Sequence, residues 1–361
     1  MSTCVTIAAT LALTSTMSVS TWLTLIVPGI GAALAQSAEA GSTGATQLAR
    51  IAGRGSINCT WNRRDAQDSG LRPWQRGLLA TLELPAAQFA SASVSARGSE
   101  AANAGGYWMH VEPVHFAAGL DRLTFMPLEG EARILDTERT SIAAVLAGHL
   151  QSCGMEFHTL TDGSWCVRSA QAFDVTTSSP EAAASHELDL MMPRGPDAGA
   201  LRRLMTELQM LLHDHPVNDA RARRGLPAIN AVWLWGTTVM IEPNPLSHLP
   251  LSLPFPLPLA FADAPYLRGI YALHSQPVAP MPESCDVLMS NIAAAKRAVA
   301  VVPITDLPAL EDQWIAPLAG ALASRRLARL DFILDGWHLQ VDRAALRRFW
   351  RKALPPAEWV A

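Results

Sequence analysis

The sequence of 361 residues has little charge and lacks the short motifs of the common hydrolases and nucleotide-binding enzymes. It contains no GxSxG segment, no Walker loop and no GxGxxG after a predicted strand, so none of those classes is indicated. Lys and Arg number 28 against 32 Asp and Glu. Because a basic surplus is absent, the composition argues against a nucleic-acid partner.

Cysteines are few, scattered and odd in number: Cys4, Cys59, Cys153, Cys166 and Cys285. None belongs to a CxxC pair, so the sequence predicts neither a zinc site nor a disulfide framework. Reduced thiols of this kind are typical of a cytoplasmic protein.

The amino-terminal segment contains no Lys or Arg before Arg50. A secretory signal needs a positively charged start, and Pro28 and Gly29 interrupt the apolar run before it could span a membrane. We therefore predict a buried strand over 23–27, no membrane segment and a cytoplasmic protein. Export with cleavage near Ala35 is the alternative, and residues 1–16 are predicted to be a disordered extension.

What the sequence does contain is a large apolar fraction, 49%, with strand-like and helix-like segments in alternation. This pattern predicts an α/β fold, a mostly parallel sheet flanked by helices, with an inserted α+β unit. The predicted domains are 17–100 and 196–361 for the core and 101–195 for the insert. Within the insert, residues 105–170 predict the order β-β-α-β-β.

Other elements follow from local patterns. Further buried strands are predicted at 267–273 and 297–304, a loop at 36–46 and a proline-rich surface loop at 243–265. An apolar stripe predicts a helix over 197–213, and Asp335-Gly336 predicts a hairpin turn. A final amphipathic helix is expected to carry Leu346, Phe349 and Trp350.

Large polar and aromatic residues concentrate between the predicted helix at 197–213 and the strand that follows it. The candidates for ligand binding are the polar and aromatic residues Asn218, Arg221, Arg224, Asn230, Trp233 and Trp235, together with Gly236. Arginine offers a planar fork for phosphate or carboxylate, and a glycine permits close approach of the backbone. The alternative is that these side chains only satisfy buried loop carbonyls and fill the sheet.

The sequence contains two further groups of polar residues. Residues 112–115 and 121–122 form one, in which His115 and Arg122 are candidate site residues, Arg122 either flanking a strand or facing a cleft. The HxH pair of His213 and His215 lacks a third ligand at compatible spacing. It predicts one exposed histidine and one capping histidine, and no metal site.

The segment "HPVNDARARRGLPAINAVWLWG", residues 215–236, resembles the RpfE-type regulatory proteins of proteobacteria, which are phosphoglycerate-mutase-like. "YWMHVEPVHFAAGLDRLTF" and "TWLTLIVPGI" fit the same family. More distantly, the chain is similar to the archaeal type of cofactor-independent phosphoglycerate mutase. That resemblance implies an alkaline-phosphatase-like α/β core with a small inserted domain.

The same resemblance implies two divalent metals held by Asp and His, and a phosphorylated Ser or Thr nucleophile. Pro28 stands where the first metal-binding Asp belongs, and the stretch from Asp306 to Asp312 lacks histidine. Ser56 and Thr60 have no recognisable nucleophile context. We therefore expect a non-catalytic protein without a cofactor, with a regulatory role or an anionic ligand.

The expected partner is a small phosphorylated metabolite or a protein. The alternative function is a divergent phosphoglycerate mutase or phosphatase that uses Mn²⁺ or Zn²⁺.

Overall fold

The computed structural model describes residues 21–39, 46–60, 70–99, 105–119, 122–237 and 256–359. These residues form two sheets and the helices around them. The strands are β1 Trp22–Val27, β2 Ser56–Cys59, β3 Tyr107–Ala118, β4 Leu123–Pro127, β5 Met155–Thr159, β6 Trp165–Ser169, β7 Ala231–Trp235, β8 Leu259–Phe261, β9 Arg297–Val301, β10 Arg329–Leu334 and β11 Trp337–Asp342.

Fourteen α-helices lie between or after these strands in the described part of the chain. They are α1 Gly31–Glu39, α2 Gln47–Arg54, α3 Pro73–Thr81, α4 Ser91–Gly98, α5 Asp136–Ser152, α6 Pro180–Ser185, α7 Leu188–Met191, α8 Ala198–His213, α9 Pro216–Arg223, α10 Pro265–Leu273, α11 Cys285–Asn291, α12 Leu307–Leu310, α13 Ala316–Ala323 and α14 Arg343–Leu346. A π-helical turn, Glu311–Ile315, joins α12 to α13.

The first sheet has the order β2-β11-β10-β1-β9-β8. Strands β10, β1, β9 and β8 are parallel, whereas β11 and β2 extend the sheet in antiparallel pairs. The predicted hairpin is present, with Asp335 at a positive φ of 49° in the turn between β10 and β11. The prediction of an α/β fold with a mostly parallel sheet is confirmed for this sheet.

Each parallel strand of the first sheet is buried on both faces. In β1, Leu23, Leu25 and Val27 join one hydrophobic cluster, which includes residues of α2, α11 and α13. Ile26 points to the other face, where it joins residues of α3 and α10. Helices therefore cover both sides of the sheet, which explains why these strands are nearly continuous apolar runs.

The second sheet has the order β4-β3-β6-β5, with β7 paired to β3 in antiparallel register. Residues 105–170 have the predicted order β-β-α-β-β. Helix α8 packs on β7 and α5, and its buried leucines share one cluster with the strands of this sheet. The cluster thus continues past residue 195, through β7, while the domain boundaries at 100/101 and 195/196 stay a prediction.

The predicted strand at 267–273 is wrong, because this segment lies in helix α10. Pro265 begins the helix, and Tyr266, Leu267, Ile270 and Tyr271 are buried at helical spacing. A short apolar run does not distinguish a buried strand from the buried face of a helix.

Three other local predictions are corrected. The proline-rich segment was expected to be loop up to residue 265, but 259–261 form the edge strand β8, and residues 238–255 lie outside the described ones. Residues 36–39 belong to α1, and β2 was not predicted at all. The carboxyl-terminal helix ends at Leu346, which leaves Phe349 and Trp350 exposed.

Residues 1–16 lie outside the described residues, so their predicted disorder stays a prediction. Within the described part of the chain, none of the helices is long and apolar enough to cross a membrane.

Candidate ligand site between the two sheets

The junction between α8, α9 and β7 holds most of the side chains that the sequence singled out. Pro216 begins α9, and His215 caps this helix by accepting from Val217 N at 3.3 Å. His213 is exposed, as predicted. Asn218 donates to Leu212 O and Ile229 O and accepts from Ile229 N, so its amide joins the end of α8 to the start of β7.

Arg221 is fully buried in this junction, and each nitrogen of its guanidinium is occupied. It donates to Pro227 O at 2.7 Å, to Ala132 O at 2.6 Å and to Glu138 Oε2 at 2.8 Å. Arg224 donates to the other oxygen of Glu138 at 2.8 Å. Burial alone would raise the pKa of Glu138, but the Leu135 N–H and the two arginines lower it.

Three other candidates are also engaged with the backbone or with solvent. Asn230 donates to Phe116 O and accepts from Phe116 N, which fastens the end of β3 to β7. His115 Nδ1 is hydrogen-bonded to Ala228 O at 2.8 Å. Arg122 is exposed immediately before β4. The contacts of Asn218, Arg221, Arg224 and Asn230 favour the loop-organising interpretation over direct ligand binding.

The two tryptophans of β7 are completely buried. Trp233 donates its indole N–H to Ser178 O at 2.8 Å and packs edge-on against Phe125. Trp235 stacks on His110, with ring centroids 4.4 Å apart, and the guanidinium carbon of Arg72 lies 4.8 Å from its ring centroid. Trp235 therefore connects the junction with His110 and Arg72, two residues that line a cavity between the two sheets. The sequence did not predict this cavity.

His110 lines this cavity and belongs to a buried polar network. Its Nε2 is hydrogen-bonded to Ser91 Oγ at 3.0 Å and its Nδ1 lies 3.3 Å from Cys166 Sγ. Burial, together with the charge of Arg72, lowers the pKa of His110 to about 3, so the ring is neutral at pH 7. Because Ser91 and Cys166 are themselves fully buried, this group is a packed polar core and not an exposed catalytic triad.

Gly236 makes this packing possible, as its predicted role in close approach requires. Its φ is +80°, and a Cβ at this position would lie 2.8 Å from His110 Cδ2 and 3.2 Å from Ser91 Cβ. Its N–H donates to Thr177 Oγ1, and its carbonyl accepts from Ala92 N.

The cavity lies at the carboxyl ends of parallel strands in the first sheet and has a volume of about 480 Å³. Such edges are where open α/β sheets usually bind ligands. Residues 28–29 after β1, 301–303 after β9 and 263–266 after β8 form one wall. Strand β3 and helix α6 of the second sheet contribute His110, Glu112 and Glu181 to the other.

Arg72 stands between two carboxylates in this cavity. It precedes Pro73, the first residue of α3, and its own N–H donates to Gln75 Oε1. Its guanidinium pairs with Glu112 at 2.8 Å and with Glu181, and all three side chains retain between 25% and 35% of their exposure. One charge of arginine therefore neutralises only one of the two glutamates.

Carboxylates exceed cations around this cavity. Its lining contains Arg72 but also Glu112, Asp162, Glu181 and Asp263. The second oxygen of Glu181, Oε2, is buried and has no hydrogen-bond partner among the described residues. Burial raises the pKa of Glu112, because ionising a carboxyl group in a poorly solvated site costs free energy. The positive charge of Arg72 acts in the opposite direction and lowers this pKa.

A second cavity of about 350 Å³ adjoins the first and shares Arg72, Glu112 and Glu181 with it. Here Arg133 and Arg139 bring the charges closer to balance. Burial and the neighbouring Glu181 raise the pKa of Glu129 on its wall.

Among the described residues, the acidic side chains that follow β9 and β10 hold the backbone and do not fit the pair of metals that the resemblance implies. Asp335, at the end of β10, accepts from Gly29 N at 2.9 Å and from Gly31 N at 2.7 Å, so both of its oxygens hold the start of α1. Burial raises the pKa of Asp335 to about 6, although the two hydrogen bonds from Gly29 and Gly31 lower it.

The other acidic and hydroxyl candidates serve the backbone as well. Asp306 accepts from Ala309 N, and Glu311 accepts from the first two N–H groups of α2. Thr60 donates its hydroxyl to Gly336 O, and Ser56 lies in the edge strand β2. No step of a reaction can be built on a bimetallic centre from these described residues.

Sequence reasoning missed Arg72, Glu181 and His110, and it noted Glu112 only as a neighbour of His115. These residues come from separate segments, and nothing in the local spacing links them. The one local signal was Arg72 before Pro73, the start of a helix whose first turn faces the cavity.

No family model matches the chain. A 2,3-bisphosphoglycerate-independent phosphoglycerate mutase from Methanothrix thermoacetophila is 47% identical over 45 residues, a match that covers 12% of this chain and 12% of that protein. The sequence similarity is thus confined to one short segment.

Two solved structures are similar over most of the chain, at low identity. The cofactor-independent phosphoglycerate mutase from Thermoplasma acidophilum has 14% identity and a TM-score of 0.37, covering 90% of this chain and 89% of that one. The PH0037 protein from Pyrococcus horikoshii has 12% identity and a TM-score of 0.44, covering 94% and 92%.

Proposed function

We propose that this chain is a phosphoglycerate-mutase-like protein of the alkaline phosphatase superfamily that binds a small ligand and transfers no phosphoryl group. The 45-residue match to a phosphoglycerate mutase supports the relationship. The resemblance of residues 215–236 to RpfE-type proteins supports a regulatory role, with a protein partner in the cytoplasm.

The observation that carries the ligand proposal is a cavity of about 480 Å³ lined by four carboxylates and one arginine, beside which Oε2 of Glu181 is buried without a hydrogen-bond partner among the described residues. An acceptor left unsatisfied away from water costs about 1 to 3 kcal/mol, so a donor that reaches it gains affinity. Since carboxylates outnumber cations in the lining, the preferred ligand carries an amine or another cationic donor. This preference replaces the phosphorylated metabolite expected from the sequence.

Isothermal titration calorimetry with putrescine, a small dication, and with 3-phosphoglycerate tests the proposal. We expect putrescine to bind the wild type and the Glu181→Gln variant to bind it at least about tenfold more weakly, the value of one charged hydrogen bond. Glu156→Gln, on the exposed face of β5, is the matched control and should bind as the wild type does. Binding of 3-phosphoglycerate alone, or of neither probe, contradicts the proposal.

A divergent metal-dependent mutase or phosphatase is the second candidate, favoured by the name of the protein that shares the 45-residue segment. Purified protein supplied with Mn²⁺ or Zn²⁺ is assayed for turnover of 3-phosphoglycerate. We expect none, and metal-dependent turnover would establish the enzyme instead.

A further inference from the structure

Three side chains of the metal-ligating types come together on helices that pack with the second sheet, and none of the three lines the cavity described above. His149 lies in the last turn of α5, Cys153 follows that helix by one residue, and Glu207 lies on α8. One ligand atom from each, Nε2, Sγ and a carboxylate oxygen, lies within 4.8 Å of the other two.

The two distances from His149 are close to the edges of a tetrahedron of ligands around one metal ion. His149 Nε2 lies 3.1 Å from Glu207 Oε2 and 3.7 Å from Cys153 Sγ. Zinc bonds of about 2.0 to 2.3 Å to N, O and S place tetrahedral ligands about 3.4 to 3.6 Å apart. An ion at the centre therefore requires shifts of a few tenths of an ångström for the two pairs that include His149, while Cys153 Sγ and the Glu207 oxygen, within 4.8 Å of each other, approach by up to about 1 Å.

The backbone that carries these ligands is held by the core. His149 and Cys153 are four residues apart, and residues i and i+4 lie on the same face of a helix. Leu150 and Leu208, beside His149 and Glu207 in sequence, are fully buried in the same hydrophobic cluster. The two helices thus present the ligands from fixed positions, and the ligands themselves reach the surface, where an ion can enter.

We propose that His149, Cys153 and Glu207 bind one zinc ion, with a water molecule as fourth ligand. Thiolate, imidazole and carboxylate together suit a borderline-soft divalent cation better than Mg²⁺ or Ca²⁺. On binding, the Cys153 thiol releases its proton to the solvent and the thiolate coordinates the ion. The ion clips α5 to α8 on the second sheet.

Titration of the full chain with Co²⁺, under a non-thiol reductant, provides the first test. A thiolate-to-cobalt charge-transfer band and intense tetrahedral d–d bands should saturate at one equivalent. Zinc should displace the cobalt and raise the melting temperature, because it binds the folded chain.

Cys153→Ser and Glu207→Gln test the assignment of the ligands. Loss of an outer-shell partner of a metal ligand costs about 10- to 100-fold in affinity, so loss of a ligand itself should cost at least about 100-fold. Cys59→Ser and His213→Ala change another exposed thiol and another exposed imidazole, and they should bind zinc as the wild type does. Equal affinity of the wild type and Cys153→Ser, or a cobalt spectrum without the thiolate band, would overturn the proposal.

Discussion

This protein contains two groups of arginine and glutamate side chains. In one group the described hydrogen bonds use every guanidinium nitrogen of the buried arginine, whereas in the other a carboxylate oxygen has no partner among the described residues. In the junction after α8, one glutamate, Glu138, faces two arginines, and the guanidinium of the buried Arg221 has its remaining nitrogens on backbone carbonyls. In the cavity, one arginine, Arg72, faces two glutamates, and an oxygen of Glu181 has no partner.

The difference separates a structural polar group from a candidate site. A buried group whose donors and acceptors are all hydrogen-bonded has no donor or acceptor left for a ligand. Its residues contribute to the stability of one loop arrangement. An unsaturated group beside a cavity retains binding capacity and costs stability until something occupies it. The contacts of the junction after α8 are those of a folding element, and the proposed ligand site lies beside it.

The largest effect is expected from Arg221→Met. It leaves Glu138 and the carbonyls of Ala132 and Pro227 without their buried partner, which should lower the free energy of unfolding by about 3 to 5 kcal/mol. Urea denaturation measures this loss. Arg224→Met, which removes the exposed arginine from the same Glu138, is the control and should cost about 1 kcal/mol or less. Equal losses would mean that the junction is not the saturated, buried group described.

Gly236→Ala tests the link between the two regions. The new Cβ would collide with His110 and would occupy a positive φ, so we expect a loss of about 2 to 3 kcal/mol. Gly225→Ala has a similar φ of +69° but open space around the new Cβ, and it should cost only about 1 kcal/mol. Thermal melts of the two variants separate backbone strain alone, in Gly225→Ala, from strain combined with a steric collision, in Gly236→Ala. A smaller loss of stability for Gly236→Ala than for Gly225→Ala would contradict the packing against His110.

Arg72→Met should cost less than Arg221→Met, about 1 to 2 kcal/mol, although both arginines pair with glutamate. Glu112 and Glu181 keep partial access to water, and the raised pKa of Glu112 makes its protonation easy. Urea denaturation at pH 7 measures the difference, and a loss as large as that of Arg221→Met would remove the contrast between the two groups.

Asp335 should make stability depend on pH, and the change over one pH unit is the smallest of these effects. Its folded-state pKa of about 6 exceeds the ordinary value of 3.8, so folding favours the protonated form. Its contribution is therefore present at low pH and is lost as the pH rises from about 4 to about 6, at no more than about 1.4 kcal/mol per pH unit. The free energy of unfolding of the wild type, relative to Asp335→Asn, should fall across this window. A difference that stays constant or rises with pH would contradict this.

Much of the architecture could be predicted because it depends on local patterns. The strand β1, the unit of residues 105–170, helix α8 and the turn at Asp335-Gly336 all follow from apolar spacing and turn residues. The prediction failed at α10 and β8, where a short apolar run and a group of prolines allow more than one structure.

The candidate site was beyond such patterns. Arg72, Glu112 and Glu181 are brought together by three different elements, and Glu207 of α8 meets His149 and Cys153 at the end of α5. Whether a polar side chain is saturated depends on neighbours that are distant in sequence, so residue type alone could not separate Arg221 from Arg72.

The sequence by itself determined the alternation of strands and helices, the mostly parallel sheet and the segment that ties α8 to β7, because these depend on periodicity and on backbone preference within a few residues. Only the tertiary structure decided which polar groups are satisfied and which face a cavity. The reason is physical: hydrogen-bond saturation and desolvation depend on distances between segments that meet only when the chain is packed.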